Sequence, residues 1–275
     1  MEFLLANSFD ATTAFGLIIL YVMAGIVGLA VLVSSIWLLV ARIRVWAIYG
    51  KFNKIANSEN LTAREATEKF KELCGLDDVQ IKQCGFFKSI VSAGSAVGFG
   101  NEYDAKKKTI FLRKNIMDKN SITAVGVSTQ KVGAAVLDKN GDKDYKLVSK
   151  LKPVIFWIPI LFIPLVIVGV LLDYFLMGMS GIISIVFALV SIGFMIFAVV
   201  VMKKAIKNEK NANNVSMQMM NETNFLTEEE RGYIQKIYNA YMTSYVAEYV
   251  QLIIQIIYEI IRLLISLLKI FSKKN

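Results

Sequence analysis

The stretch Ser121-Ile-Thr-Ala-Val-Gly-Val-Ser-Thr-Gln-Lys-Val-Gly-Ala-Ala-Val-Leu137 is the part of the chain in which residue order, beyond composition, indicates a specific structure. Its apolar residues, among them Val125 and Val132, recur at the spacing of one face of an α-helix, and no proline interrupts it. Asn120 or Ser121 can cap the first turn, because a short polar side chain accepts a hydrogen bond from a free amide there. We therefore predict a helix over residues 121–137 with one apolar face.

The composition is that of a membrane protein. Of the 275 residues, 55% are hydrophobic, and the mean hydropathy is +0.52. Lys and Arg are absent from residues 1–41 and 153–202, whereas residues 42–152 hold 21 of the 31. Such segregation follows the positive-inside rule, so we expect the N-terminus outside the cytoplasmic membrane and the basic segment in the cytoplasm. No nucleic-acid-binding motif accompanies the charge, which argues against nucleic acid as a partner.

Apolar runs and one mixed segment divide the chain. Residues 15–40 alone are long enough, as a helix, to cross the roughly 30 Å hydrocarbon core. We predict a mostly α fold, a multi-pass membrane helix bundle with a small cytoplasmic α+β domain. The predicted segments are an external N-terminus (1–14), a first transmembrane helix (15–40), the cytoplasmic domain (41–152), second and third transmembrane helices (153–172 and 182–202), cytoplasmic helices (203–240) and an amphipathic or transmembrane fourth helix (241–271).

Local signals predict the elements of the cytoplasmic domain. Thr62-Ala-Arg-Glu65 has the pattern of a capping box at the start of a helix that stops near Gly75. Residues 78–84 and 108–113 alternate like β-strands. The acidic segment 138–144 resembles a calcium loop, but it lacks the glycine at the sixth position and the glutamate at the twelfth. We therefore expect a solvated turn there.

Polar residues form a narrow stripe along the last helix. They fall at steps of three and four residues, so they share one face of an otherwise Ile/Leu-rich helix. Charged residues in a membrane segment normally face a bundle interior, a water-filled groove or a partner. A helix lying flat at the membrane interface is the alternative. Our hypothesis is that the stripe packs against protein, including a second copy of the chain; its members are Glu248, Gln251, Gln255, Glu259, Arg262, Ser266 and Lys269.

Several short motifs, taken together, resemble one known family. They are Leu-Cys-Gly at 73–75, Tyr103-Asp104 before a Thr-Ile-Phe-Leu strand, Ala-Val-Gly-Val at 124–127, Glu-Lys-Asn-Ala-Asn at 209–213 and Leu-Thr-Glu-Glu-Glu-Arg at 226–231. The chain is similar in these features, from about residue 15 onward, to the YugP-type neutral zinc metallopeptidases of bacterial membranes. The resemblance implies a zincin-like domain in the bacterial inner membrane. It also implies a His-Glu-Val-Gly-His motif two residues after Ala-Val-Gly-Val, where this chain has Gln130-Lys131-Val132-Gly133-Ala134.

The family's motif has a physical reason. Two histidines four residues apart lie on one helical face and bind zinc, the adjacent glutamate acts as general base, and a later helix supplies a third ligand. Here Gln130 is a poor ligand and Ala134 cannot coordinate, so Glu209 alone remains at the position that resembles the third ligand. Lys131 places a cation where the base should stand. At about 4 to 5 Å a lysine opposes a dication by roughly 6 to 8 kcal/mol, at an effective dielectric constant of about 20.

We therefore expect no zinc in this chain, although the resemblance implies zinc for the family, and the sequence contains no histidine. The interpretation is a non-catalytic pseudopeptidase that acts as a scaffold or adaptor, or assembles with itself. Its partners would be membrane lipids, further copies, or a membrane protein such as a protease complex. Lys131 is predicted to pair with Glu209 in place of the metal. The alternatives are a hydrolase that uses unrecognised carboxylates such as Glu102, Asp104 and Glu209, and a membrane transport or channel component.

Overall fold

The computed structural model describes residues 2–85, 100–177, 181–223 and 225–274, and within them the side chains other than those of 2–13, 152–163, 166, 177 and 271–274. The described chain is mostly helical, which confirms the predicted fold class. The helices are α1 (Glu2–Phe52), α2 (Ala63–Leu73), α3 (Lys114–Met117), α4 (Ile122–Lys139), α5 (Lys143–Met177), α6 (Ile182–Thr223) and α7 (Glu228–Lys274). The strands are β1 (Gln80–Gln83), β2 (Glu102–Asp104) and β3 (Thr109–Leu112).

Three helical segments among the described residues are long and apolar enough to cross a membrane, and this indicates a membrane protein. They are Ala14–Phe52, Ile182–Thr223 and Glu228–Ile270. A shorter apolar segment, Ile167–Leu176, lies in α5. The predicted second pass, 153–172, also lies in α5, where the side chains of 152–163 are outside the described residues. That pass and the predicted sidedness of the loops stay predictions.

The sheet is small and mixed. Strand β3 lies in the middle, with β1 parallel to it and β2 antiparallel. Ile81 and Tyr103 are both paired in register with Ile110, which is fully buried. The sheet thus supplies the β part of the predicted α+β domain.

The chain forms two compact units. One consists of residues 1–37, 154–200 and 249–275, and the other of residues 38–153 and 201–248. The second unit holds the sheet, α2, α3 and α4, and its core is built around α4. Of the 18 residues of α4, 15 are buried. The expectation of a single apolar face was therefore too narrow, because the helix is enclosed on nearly all sides.

Helix ends in the second unit follow the local sequence. Thr62 and Glu65 form the predicted capping box at α2, and Gly75, with φ of 60°, follows that helix in a left-handed conformation suited to glycine. The Ser121 hydroxyl accepts a hydrogen bond from the Ala124 amide and caps α4. These caps require only neighbouring residues, which explains why the sequence predicts them.

The prediction of a solvated turn over residues 138–144 is wrong for its first residue, Asp138. Asp138 lies inside α4 and is buried. Its carboxylate accepts hydrogen bonds from the Tyr103 hydroxyl at 2.9 Å and from the Lys108 ammonium at 2.7 Å. Asp138 therefore links the end of α4 to β2 and to the residue that precedes β3.

Candidate functional site

The predicted motif residues lie where α4 packs against α6. Gln130 is 6% exposed, and its Nε2 donates a hydrogen bond of 2.5 Å to Oε2 of Glu209 on α6. Ala134, one helical turn after Gln130, is also buried. The structure thus brings together two of the positions that the sequence singled out, and the partner of Glu209 in this hydrogen bond is Gln130. The predicted pair of Lys131 with Glu209 stays a prediction.

Gly133 sets the distance between these two helices. A Cβ atom added to Gly133 would lie 2.4 Å from the backbone oxygen of Ala212 and 3.2 Å from its carbonyl carbon. No residue larger than glycine fits at this crossing without displacing a backbone. Val132, beside it, is completely buried. This close approach allows the Gln130 side chain to reach the Glu209 carboxylate.

A small cavity opens beside this hydrogen bond. Its volume is about 20 Å³, which is room for about one water molecule. It is lined by Val127, Gln130, Lys131, Glu209, Asn213, Tyr238, Tyr241, Met242 and Tyr245. The cavity is therefore polar on the α4 and α6 sides and phenolic on the α7 side.

Buried hydroxyl groups join the three helices next to the cavity. The Tyr238 hydroxyl donates to the Gly126 carbonyl oxygen at 2.6 Å and lies 2.8 Å from the Ser216 hydroxyl. Ser216 lies 3.2 Å from Thr129 Oγ1, and Thr129 donates to the Val125 carbonyl at 2.8 Å. Each hydroxyl thus has a partner, which is what a buried polar network needs to be stabilising.

Burial and the carboxylates of this region raise the pKa of the neighbouring Tyr145 phenol, on α5. Burial raises the pKa of Tyr145 well above its ordinary value, and the nearby Glu209 carboxylate raises it further, as does Asp138. Burial likewise raises the pKa of Tyr103, and the Asp138 carboxylate adds to the effect. Both phenols therefore stay protonated at neutral pH and act as hydrogen-bond donors or as packing groups.

Comparison with known proteins identifies the family. A family model described as "Putative neutral zinc metallopeptidase" matches residues 26–264, which is most of the chain. The chain belongs to this family. Among curated proteins and among solved structures, no match is found. The family that the short motifs suggested is thereby confirmed, and the matched region includes α4, Glu209 and all the residues that line the cavity.

The side chains at the positions that resemble the family's zinc motif do not, as a set, fit a zinc ion in this zinc metallopeptidase family member. Zinc in proteins is bound by imidazole nitrogen, thiolate sulfur and carboxylate oxygen. Gln130 offers an amide, Lys131 an ammonium and Ala134 a methyl group, so Glu209 is the one suitable donor of the four. In the part of the chain that the structure describes, no group of three or more His, Cys, Asp or Glu residues could hold a metal ion.

The two other carboxylates considered for catalysis lie on β2. Asp104 accepts hydrogen bonds from the backbone amides of Lys106 and Lys107, at 3.1 and 3.2 Å, and so stabilises the turn into β3. Neither Glu102 nor Asp104 is among the residues that line the cavity of this metallopeptidase family member. Of these carboxylates, Glu209 alone therefore lines this cavity.

Sequence reasoning missed the tyrosines that α7 contributes. Tyr238, Tyr241 and Tyr245 all line the cavity. Their spacing of three and four residues places them on one helical face. That periodicity was a signal in the sequence, but α7 follows α4 at a distance of about a hundred residues, so no local pattern shows what the tyrosines face.

The polar stripe of α7 divides into two parts. Near its start, Glu248 lies 3.7 Å from Arg42, and Gln251 donates a hydrogen bond of 2.9 Å to Ser35. The later members are Gln255, Glu259, Arg262, Ser266 and Lys269, and all but Glu259 are exposed. The first part of the stripe therefore packs against α1 of the same chain.

Proposed function

We propose that the protein is a non-catalytic member of its family, a pseudopeptidase that serves as a membrane scaffold or adaptor. The observation that carries the proposal is that the packing residues of the motif are kept, whereas the residues at its metal-binding and catalytic positions are replaced. Gly133, which the family motif also has, lies against the Ala212 backbone of α6, and Val132, which it also has, is completely buried. Gln130, Lys131 and Ala134 stand where the family has its two histidines and its glutamate, and they cannot perform that chemistry.

The contact of Gln130 with Glu209 supports this proposal. In the family the metal would link the motif helix to a later helix through a carboxylate at the position of Glu209. In this chain the amide of Gln130 makes that link directly, with a hydrogen bond to a charged group, which is stronger than one between neutral groups. The fold is thus held together at this point without a metal. Selection for the shape of the protein, without selection for hydrolysis, accounts for both the retained packing residues and the metal-free contact of Gln130 with Glu209.

The size of the cavity supports the proposal as well. Space for one water molecule does not admit a peptide bond with its flanking residues. A partner protein would therefore be recognised by the outer surface of the protein and would not be processed in this cavity. Lys131, if it pairs with Glu209 as predicted, adds a second metal-free link between α4 and α6.

Zinc analysis of purified protein tests the proposal. We expect far less than one zinc per chain by elemental analysis, and no chelator-sensitive proteolysis of a casein substrate. Stoichiometric zinc together with chelator-sensitive cleavage would overturn it. A triple variant, Gln130→His with Lys131→Glu and Ala134→His, restores the three chemical positions beside Glu209 and should acquire zinc. The matched control keeps Ala134 and restores only the first two positions, so it should bind zinc much more weakly.

A further inference from the structure

The later part of the α7 stripe presents polar groups on a helix that is apolar enough to span a membrane. Gln255, Arg262, Ser266 and Lys269 are exposed within the candidate span Glu228–Ile270. In hydrocarbon no water is present to satisfy such groups, so exposed polar side chains on a spanning helix normally face protein or a water-filled space. This surface, residues 255–269 of the stripe, is called the distal stripe below.

The distal stripe has few partners on other helices. Arg262 pairs with Glu259 at 3.2 Å, within one turn of α7, and the Ser266 hydroxyl donates to the Arg262 carbonyl of its own helix. Lys269 lies over the Tyr21 ring of α1, 5.4 Å from its centre. Within the described residues, no hydrogen bond is found for the Gln255 amide. The middle of the stripe is therefore open to a partner.

Both flanks of the distal stripe are already occupied by helices of the same unit. On one flank, Ile256 packs in a buried cluster with Ile192 of α6. On the other, the Tyr258 ring lies 3.6 Å from the position that a Cβ atom of Gly28 on α1 would take. Among the described residues, no side chain is found to cover the face between these flanks at Gln255, which is exposed.

The opposite face of α7 is also exposed but has different chemistry. It carries Ile257, Ile260 and Leu264, all exposed, and at 100° per residue Ile257 lies far around the helix from Gln255. That apolar face is suited to lipid. The helix thus exposes two surfaces, and only the polar one lacks a suitable environment in a bilayer.

We propose that the distal stripe binds the same stripe of a second copy of this chain, about a two-fold axis perpendicular to the membrane. Both copies insert with the same topology, so such an axis sets the two stripes side by side and parallel. A residue on the axis then faces its own equivalent, and residues on opposite sides of the axis face one another. Gln255 lies at the crossing, where each amide donates to and accepts from its equivalent, as side-chain amides do between membrane helices. Glu259 of each copy then faces Arg262 of the other.

Self-complementarity is the reason for choosing a second copy as the occupant. The centre of the distal stripe has one acid and one base a turn apart, next to an amide that is both donor and acceptor, while the second base, Lys269, lies over Tyr21 of the same chain. A two-fold axis matches each of these groups to a suitable partner, whereas lipid tails match none. This pairing does not depend on the loss of catalysis, so the zinc analysis and the experiments below can fail separately.

Cysteine cross-linking in membrane vesicles tests the contact. The full chain, with Cys74→Ser and Cys84→Ala to remove the native thiols, carries either Gln255→Cys or, as the matched control, Ile257→Cys. We expect a disulfide-linked dimer from Gln255→Cys in several-fold greater yield than from Ile257→Cys. Equal yields would overturn the proposal. Labelling of Gln255→Cys by a thiol-reactive lipid probe, as strong as that of Ile257→Cys, would also overturn it and favour a lipid-facing stripe.

Charge reversal tests the arrangement of the pair. Glu259→Arg makes the distal stripe wholly basic, and Arg262→Glu makes it net acidic at its centre. Each variant should self-associate about tenfold more weakly than the unchanged chain, or weaker still, because like charges then face each other. Differently tagged copies of the two variants should associate when they are co-reconstituted. The proposal would be overturned if each variant remained dimeric alone. It would also be overturned if the two variants, shown to be folded by their circular dichroism spectra, failed to associate with each other.

Discussion

Gly133→Ala tests the closest helix contact in the site. The added Cβ atom would lie 2.4 Å from the Ala212 oxygen, and Cβ atoms essentially never approach a heavy atom to less than 3.0 Å. Helices α4 and α6 must therefore separate by at least 0.6 Å, the difference between the two values. The obstacle is a backbone carbonyl in the middle of a helix, so no side-chain rotation relieves it.

Two opposing effects decide the size of the change. Overpacking in a buried contact destabilises by about 1–3 kcal/mol, and a clash with backbone belongs at the upper end. Replacing a helical glycine by alanine contributes about 1 kcal/mol in the other direction. We expect the free energy of unfolding to fall by about 2 kcal/mol, and the melting temperature by about 4–8 °C for a chain of this size.

Gly232→Ala is the matched control. Gly232 lies inside α7, and an added Cβ atom there would meet no other atom within 4 Å. The same substitution should therefore stabilise the protein by up to about 1 kcal/mol through helix propensity alone. Thermal unfolding of both variants in detergent, followed by circular dichroism, measures the two shifts. If Gly133→Ala raised the melting temperature as Gly232→Ala does, the close contact of α4 with α6 would be refuted.

Three further predictions test the rest of the second unit. Tyr238→Phe removes a buried hydroxyl that joins three helices and should lower the free energy of unfolding by about 1–3 kcal/mol. Tyr233→Phe, whose hydroxyl meets an exposed glutamate, should change it by less than about 0.5 kcal/mol. Equal losses of stability in chemical unfolding would contradict the hydroxyl network. Gln130→Ala should lower the free energy of unfolding by about 1.5–3 kcal/mol, because a hydrogen bond to a charged group is lost. If Lys131 pairs with Glu209 as predicted, Lys131→Ala should be the more destabilising of the two variants. Equal melting temperatures would argue against the pair of Lys131 with Glu209. Hydrogen bonds from two lysines lower the pKa of Asp144 below its ordinary value of 3.8, so the contribution of Asp144 to stability is complete above that pH and is lost on further acidification. The melting temperatures of the unchanged chain and of Asp144→Asn should therefore converge at low pH. A difference that stayed constant with pH would exclude this titration.

Prediction from the sequence succeeded where a structure depends on residues close in the chain. The cap at Ser121, the capping box at Thr62 and the existence of α4 each follow from a few neighbouring positions. The family was also readable, because its motifs are short and ordered. The extent to which α4 is buried was not readable, since its Ser, Thr and Gln residues look like a polar face until their partners on other helices are known.

The same limit explains the error at Asp138. An acidic residue two positions before Asn-Gly-Asp looks like part of a solvated turn, yet it is buried and bonds Tyr103 of β2 and Lys108, which precedes β3. Glu230 is a similar case: it completes a capping box with Thr227, as acidic residues in a first turn do, but it also accepts hydrogen bonds from Ser58, 172 residues earlier in the chain. A local pattern identifies the first role and gives no information about the second.

The amino-acid sequence by itself determined that Gln130, Lys131 and Ala134 carry no imidazole, thiolate or carboxylate, the groups that bind zinc in proteins, whatever their surroundings. It also determined that several helices are apolar enough for a membrane. Only the tertiary structure decided that Gln130 bonds Glu209, which is 79 positions away, and that Gly133 permits this by admitting a backbone at its surface. The physical reason is that donor chemistry belongs to single residues, whereas hydrogen-bond partners and close approaches belong to the packing of helices that are distant in sequence.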